Sequence, residues 1–313
     1  MTHRIYVDGQ DGTTGLRIHE YLAQRQDVEV LRIAPELRKD AAERARLLNA
    51  ADVAFLCLPD AASREAATMV TNSTTCLIDA STAFRTDPGW VYGLPELNPD
   101  QRDKIRASKR ISNPGCHASS FILLLRPLID AGLLSPHLAV SASSLTGYSG
   151  GGKTMLAQYE GGHEARLQSP RPYGLALGHK HIPEMMAHTG LRTRPLFMPI
   201  VGPFYKGLSV SVPLHLGQLA AGANTQSLLD CYTRRYASER FIRVLASDAA
   251  DALDQGFFDV QACNDSNRVD IVVFGSADQV IVMARMDNLG KGASGAAVQA
   301  MNVHLELDEG LGL

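Results

Sequence analysis

The chain has 313 residues, enough for two domains with separate cores, and its 45% hydrophobic and 20% charged residues are an ordinary composition for a globular protein. A formal charge of -3 gives no electrostatic basis for binding nucleic acid or an anionic membrane, and no apolar stretch of about 18 residues is present to span a bilayer. The five cysteines, Cys57, Cys76, Cys116, Cys231 and Cys263, are odd in number, scattered and without a C-x-x-C pair. That pattern excludes a disulfide framework, gives no sign of a zinc or other metal site, and fits a reducing cytoplasm. The opening residues reach charged Asp8 too soon for a secretory signal peptide.

In chain order, Arg4 to Asp8 reads as a short strand. It runs into Gly9-Gln10-Asp11-Gly12-Thr13-Thr14-Gly15, after which apolar residues recur at helical spacing from Leu16 to Leu22. Strand, glycine turn and helix form the context of a dinucleotide-binding turn, because glycine lets the backbone approach a pyrophosphate and the helix N-terminus faces its charge. The spacing G-x-x-G-x-x-G departs from the commoner G-x-G-x-x-G, and a tight strand-to-helix turn without a ligand would use the same residues. The second strand runs from Val28 to Ile33. Where NAD-binding folds usually place an acidic residue, Glu36 is followed by Arg38 and Lys39, with Arg32 upstream. Basic side chains there suit the 2′-phosphate of NADP; a solvated charged loop is the other reading, and the residues leave both open.

Ala51 to Pro59 is a buried strand ended by proline. Asp60-Ala61-Ala62-Ser63 then caps a helix running toward Val70, and Thr75 to Ser81 is the next strand. This alternation predicts βαβ units and a parallel, doubly wound sheet. Ser81-Thr82-Ala83-Phe84-Arg85 lies at the carboxyl end of its strand, where such sheets bind ligands, so Arg85 is a candidate for an anionic substrate group; a surface pair with Asp87 is the alternative. Arg110 to Asn113 is the last strand of this half and leads to Ser112-Asn113-Pro114-Gly115-Cys116-His117-Ala118-Ser119-Ser120. Pro114 and Gly115 make a sharp turn, and the apolar run Phe121 to Leu125 begins a buried helix. Cys116 thus sits at a helix N-terminus, where the unbonded N–H groups and the macrodipole favour a thiolate and could hold an oxyanion. A small buried cysteine beside a helix cap is the plainer reading.

Beyond Leu134, Ala139 to Thr146 alternates like a half-exposed strand. Gly147 to Lys153 reads as a flexible loop lining the site; with Thr154 it matches G-x-x-x-x-G-K-[ST] formally but lies outside the nucleotide-binding half. Gly178-His179-Lys180-His181-Ile182-Pro183-Glu184-Met185 is a dense polar cluster, its two histidines spaced for one face of a strand and suited to acid–base work with Cys116. Strands follow at Arg194 to Val201 and Lys206 to Leu214, then a helix from Thr225 to Tyr236 and a hairpin of Val269 to Gly275 with Gln279 to Met286. Asp287 to Gly295 is a loop into a small-residue helix, Ala296 to Leu305.

Taken together, G-x-x-G-T-T-G at Gly9–Gly15, S-T-A-F-R at Ser81–Arg85, S-N-P-G-C at Ser112–Cys116, G-H-K-H-I-P-E-M at Gly178–Met185 and N-L-G-K-G-A-S-G at Asn288–Gly295 cover nearly the whole chain. In that order they resemble the N-acetyl-γ-glutamyl-phosphate reductases of the short bacterial type. The resemblance implies an α/β fold: a Rossmann-type doubly wound parallel sheet over 1–115, rejoined by the C-terminal segment 287–313, and an α+β catalytic and dimerisation domain over 116–286 with a mostly antiparallel sheet. It implies NADPH-dependent reduction of N-acetyl-γ-glutamyl phosphate to the semialdehyde, with phosphate released, in arginine biosynthesis in the cytoplasm. Cys116 would form a thioester, and His181, with His179 as the alternative, would serve as acid and base. Gly9, Gly12, Thr13, Thr14, Gly15, Arg38, Lys39, Asn288, Gly290 and Lys291 would meet the nucleotide, and Arg85, Asn113 and Lys180 the substrate. Family members are homodimers or homotetramers. The rival readings are the same chemistry on another acyl phosphate such as aspartyl phosphate, an NADP-binding regulator without turnover, and a cysteine hydrolase using Cys116 and His181.

Overall fold

The computed structural model describes residues 2–162, 164–249 and 252–313. The chain divides into two compact units, Met1–Gly115 with Ala293–Leu313, and Cys116–Gly292.

The first unit begins with alternating strands and helices: β1 (His3–Asp8), α1 (Thr13–Leu22), β2 (Val28–Leu31), α2 (Ala41–Ala50), β3 (Val53–Leu56), α3 (Asp60–Met69) and β4 (Cys76–Asp79). Strand β5 (Val91–Tyr92), helix α4 (Gln101–Ala107) and strand β6 (Arg110–Ser112) complete it, together with the C-terminal helix Gly295–His304. The six strands lie in the order β2-β1-β3-β4-β6-β5, every pair parallel. Strands β3 and β4 are buried at every residue because both faces of the sheet are covered. Ile5, Val7, Val53, Phe55, Cys76 and Ile78 pack on one face with Ile18 of α1, Ile105 of α4 and the C-terminal helix. Tyr6, Ala54, Leu56 and Leu77 pack on the other with Leu47 and Leu48 of α2 and Ala66 of α3. The chain runs from β1 outward to β2 and returns to β3 on the opposite side of β1. The crevice beyond the carboxyl ends of β1 and β3 is therefore the switch point at which open sheets of this type take ligands.

The second unit contains α5 (Cys116–Asp130), β7 (Ser141–Gly147), α6 (Gly152–Glu160), β8 (Arg171–Pro172), α7 (Ile182–Thr189), β9 (Leu196–Gly202), β10 (Leu208–His215), α8 (Thr225–Tyr236), β11 (Ile242–Leu245), β12 (Val269–Gly275) and β13 (Gln279–Met286). Its sheet has the order β11-β12-β13-β10-β7-β9-β8, antiparallel except at β11–β12 and β7–β9. Helix α5 lies against β10 and β13, α8 against β11 and β12, and α7 against α5. Helix α5 carries Pro127, whose missing N–H leaves the Leu123 carbonyl without its intrahelical donor. The Tyr236 hydroxyl of α8 donates to that carbonyl at 2.7 Å, and Tyr232 donates to the Leu124 carbonyl at 2.7 Å. A residue that would break a solvated helix here ties α5 to α8.

Two local expectations change. Gly147 to Lys153 is not a flexible loop: a 3-10 turn, Tyr148–Gly151, leads into α6, and the Tyr148 ring stacks on Tyr159 of that helix with centroids 4.6 Å apart. His179 and His181 do not lie on a strand. His181 is the N-cap of α7, with Pro183 in the first turn, where its fixed φ suits a helix start.

Candidate active site

Cys116 is the first residue of α5, reached through the Asn113-Pro114-Gly115 turn. The N–H groups of this first turn have no intrahelical acceptor and point at what precedes the helix. Gly292 packs against it: a Cβ at Gly292 would stand 2.8 Å from the Cys116 Cβ and 3.2 Å from the Asp287 carbonyl oxygen. The other four cysteines are placed differently. Burial pushes up the thiols of Cys76, Cys231 and Cys263, and burial of the sulfur followed by the charges of Asp79 and Asp8 does so for Cys57. Near neutral pH those four are held as thiols.

The residue after Cys116 opens a histidine cluster. The ring of His117 lies 5.3 Å from that of His179 and 5.4 Å from that of His181, and the last two are 4.7 Å apart and perpendicular. Phe197 of β9 closes the cluster on the apolar side, 5.3 Å from His179. The backbone N–H of His181 donates to His179 Nδ1 at 3.2 Å, so the proton of neutral His179 is on Nε2. Burial first, then the positive charge of exposed Lys180, push His179 down to about 4, against an opposing pull from Glu184. His181 is 5% exposed, and its Nε2 is 4.0 Å from the carboxylate of Glu184, which is itself buried on α7. A carboxylate at that range is a usual orienting partner of an imidazole. Glu184, His117 and Tyr173, whose hydroxyl contacts His117, were not singled out from the sequence. The three-residue step from His181 to Glu184 at a helix start could have flagged the first; no local pattern flags the tyrosine.

The first unit holds the glycine turn. Gly9 has φ +88°, and a Cβ there would overlap the Cys57 carbonyl oxygen; a Cβ at Gly15 would stand 2.5 Å from the Gly9 carbonyl oxygen. The tight winding brings the start of α1 to the carboxyl end of β1. Gly12 is the N-cap and offers no side-chain cap, the first turn carries no acidic residue, and the buried Thr13 Oγ1 has no hydrogen-bond partner. Asp8 at the end of β1 is neutralised by Arg44 of α2, Nη2 to Oδ2 at 2.9 Å and buried. Uncapped donors, an unused hydroxyl and a neutralised carboxylate fit a bound phosphate. Thr14 gives its carbonyl to the Ser294 hydroxyl at 3.1 Å. Arg38 and Lys39 are exposed beyond β2, Arg38 in a 2.8 Å ion pair with Asp11.

Arg85 is buried, with Nε donating to the Asn113 carbonyl at 3.0 Å and Nη2 to the Ala80 carbonyl at 3.2 Å. Asn113 is buried, donates Nδ2 to the Ala293 carbonyl at 3.0 Å and keeps an Oδ1 without a partner. These two stand together in the first unit. In the second unit, both ends of the Asn288 amide bond to the fold: Oδ1 accepts from the Gly207 N–H at 2.8 Å and Nδ2 donates to Ser149 Oγ at 2.9 Å. Gly290 is needed because a Cβ would stand 2.5 Å from the Ser266 carbonyl oxygen. Lys291 is fully buried, its ammonium 5.7 Å from the centre of the Phe241 ring. The structure thus groups Cys116, His179, Lys180 and His181 in one unit and Gly9 to Gly15, Arg38, Lys39, Arg85 and Asn113 in the other.

Residues 4–105 match the family model described as semialdehyde dehydrogenase, NAD binding domain, and residues 116–288 the one described as semialdehyde dehydrogenase, dimerisation domain. The chain is 46% identical to N-acetyl-gamma-glutamyl-phosphate reductase 2 of Nostoc sp. over 99% of each chain. It is 45% identical to the N-acetyl-gamma-glutamyl-phosphate reductase of Burkholderia ambifaria over 96% of each. Among solved structures, aspartate semialdehyde dehydrogenase II of Vibrio cholerae shares the fold with a TM-score of 0.74 at 16% identity, covering 98% of this chain and 99% of that one. The Candida albicans aspartate semialdehyde dehydrogenase, solved with NADP, shares it with a TM-score of 0.64 at 14% identity, covering 97% and 98%.

Proposed function

Because the chain belongs to the N-acetyl-gamma-glutamyl-phosphate reductase family, we propose that it reduces N-acetyl-γ-glutamyl phosphate to N-acetyl-L-glutamate 5-semialdehyde with release of phosphate, using NADPH, in arginine biosynthesis in the cytoplasm. The observation that carries the reading is Cys116 at the start of α5, followed by His117, whose ring contacts both His179 and His181. In this reading the Cys116 thiolate attacks the γ-carbonyl carbon, the first-turn N–H groups of α5 hold the oxyanion, and phosphate leaves as the thioester forms. NADPH, when bound, supplies the hydride. His181, backed by Glu184, takes the thiol proton and later protonates the thiohemiacetal oxygen; His179 is the second candidate for this role.

Met1–Gly115 with Ala293–Leu313 is the proposed dinucleotide-binding domain, and Cys116–Gly292 the proposed catalytic and dimerisation domain. Gly9, Gly12, Thr13, Thr14 and Gly15 would hold the pyrophosphate, and Arg38 and Lys39 the 2′-phosphate. Arg85 and Lys180 are the candidates for the substrate's anionic groups, with Asn113 beside Arg85. Asn288, Gly290 and Lys291 are the remaining candidates for the cofactor, and the Asn288 and Lys291 side chains also make contacts inside the second unit.

The protein is proposed to work as a homodimer or homotetramer. The outer face of the second sheet supports this. Leu196, Met198 and Ile200 of β9 stand beside Ser141, Ser143 and Leu145 of β7, and Ile281 and Met283 of β13 beside Pro213 and Ser211 of β10. Leu196, Met198 and Ile281 are 51%, 39% and 41% exposed, an apolar stripe that suits a second copy. Among the described residues no helix is long and apolar enough to cross a membrane.

The test is the reverse reaction: purified protein with N-acetylglutamate semialdehyde, phosphate and NADP, followed by NADPH absorbance beside Cys116→Ser. Phosphate-dependent NADPH formation by the native protein alone is expected. Signal with aspartate semialdehyde instead would move the substrate, and silence with both would end the reading.

A further inference from the structure

Ser144, His117 and Tyr173, none of which takes part in the proposed chemical steps, form one hydrogen-bonded chain in the second unit. Ser144 Oγ donates to the Ser209 carbonyl at 2.9 Å; a carbonyl only accepts, so the hydroxyl proton lies there. Ser144 Oγ is then the acceptor in its 2.7 Å contact with His117, and His117 Nδ1 carries the imidazole proton. His117 Nε2 is left with a lone pair, and its 3.1 Å partner, the Tyr173 hydroxyl, is the donor. Ser144 and His117 are 1% and 3% exposed, so water does not compete for these bonds. The chain ends on a peptide carbonyl, which cannot pass a proton onward. It orients groups and does not relay protons. Burial and the nearby His179 and Lys180 charges hold His117 neutral, which removes it as the acid–base histidine.

The result is a phenol whose proton is committed. Burial and the charge of Cys116 keep Tyr173 protonated, and its ring lies 5.7 Å from that of His179. Its oxygen has only lone pairs to offer. On the substrate proposed above, the carboxylate, the phosphoryl oxygens and both carbonyls also only accept. The acylamino N–H is the single donor that substrate carries. We propose that Tyr173 Oη accepts the acylamino N–H of the substrate, and that His117 is the positioning residue that turns the phenol into an acceptor. This deepens the proposed function and rests on it.

The test uses the reverse reaction with N-acetylglutamate semialdehyde and with its analogue bearing an ester oxygen in place of the amide N–H. The native protein should show a KM about tenfold higher for the analogue with kcat little changed, as loss of one hydrogen bond made equally in ground and transition states requires. Tyr173→Phe, its folding checked by thermal melting, should give the same KM for both compounds. His117→Gln keeps an acceptor within reach of the phenol and should preserve part of the discrimination; His117→Leu should abolish it. A role in folding alone would not depend on one substrate atom. A folded Tyr173→Phe that still discriminates tenfold, or a native protein that turns over both equally well, overturns the assignment. A native protein that turns over neither compound ends the functional reading itself, and the assignment with it.

Discussion

Replacing Gly292 by alanine should damage the chemistry while leaving the fold standing. The added Cβ would lie 2.8 Å from the Cys116 Cβ and 3.2 Å from the Asp287 carbonyl oxygen. Two carbons at rest keep about 3.5 Å or more, so something must yield by about 0.7 Å. With the carbonyl oxygen also inside contact distance, retreat of the new methyl is restricted, and the displacement is expected at Cys116. Overpacking of this kind costs roughly 1–3 kcal/mol of stability, which a domain of this size tolerates. Misplacing a reacting atom by about 1 Å costs on the order of 10²-fold in rate. The expected result for Gly292→Ala is a kcat/KM reduced roughly 30- to 100-fold, the loss falling mainly on kcat, with Cys116 still alkylated by iodoacetamide. The assay is NADPH formation from N-acetylglutamate semialdehyde, with a melting curve for each protein. An alanine variant within threefold of native activity would show that the π-helical segment Gly290–Ser294 yields instead of the cysteine, and the geometric argument would fail.

Two further outcomes follow from the same geometry. The unfolded His117 imidazole takes its proton near its ordinary value of 6.5, but the folded one resists until about 3, so between those limits the unfolded state binds more protons and stability rises with pH. Acidifying from about pH 6.5 to 5 should therefore remove about 2 kcal/mol through this residue, with His179 adding in the same direction; urea midpoints of native and His117→Gln across that window should differ in slope, and equal slopes would discard the explanation. Joint Leu196→Asp and Met198→Asp substitution places two carboxylates on the exposed sheet face, and light scattering should then report a monomer where the native protein is larger; an unchanged mass would mean that another surface joins the subunits.

Much of this was readable from residue order, and the limits have physical causes. Glycines at 9, 12 and 15 behind an apolar strand announce a tight turn because backbone sterics leave few other uses for them, and the structure places each against a carbonyl or at a helix cap. Cys116 at a helix start was equally plain, since Pro114 and Gly115 stop one element and an unbroken apolar run begins the next. The period of two between His179 and His181 suggested a strand, but Pro183 favours a helix start, and this local preference decided the outcome. Three consecutive glycines suggested a mobile loop; Tyr148 and Tyr159 supply a stacked pair that the glycine count cannot reveal. The bond between His117 and Tyr173 joins residues 56 apart in sequence, and its direction depends on a serine of β7 and a carbonyl of β10. No window of sequence contains that information.

The return of the C-terminal helix has a consequence for biosynthesis. Ala297, Val298, Ala300, Met301 and Val303 belong to the same core cluster as Ile5, Val7, Phe55 and Ile78. A nascent chain that has emerged through Gly292 therefore holds every residue of the later unit but only part of the earlier one, whose sheet has one face still incompletely covered. The usual order on the ribosome, first domain first, is inverted. The strands that emerge first wait as an apolar surface for a helix translated more than two hundred residues later. During that interval they are a natural client for a chaperone, and a premature stop before Gly295 would strand them permanently.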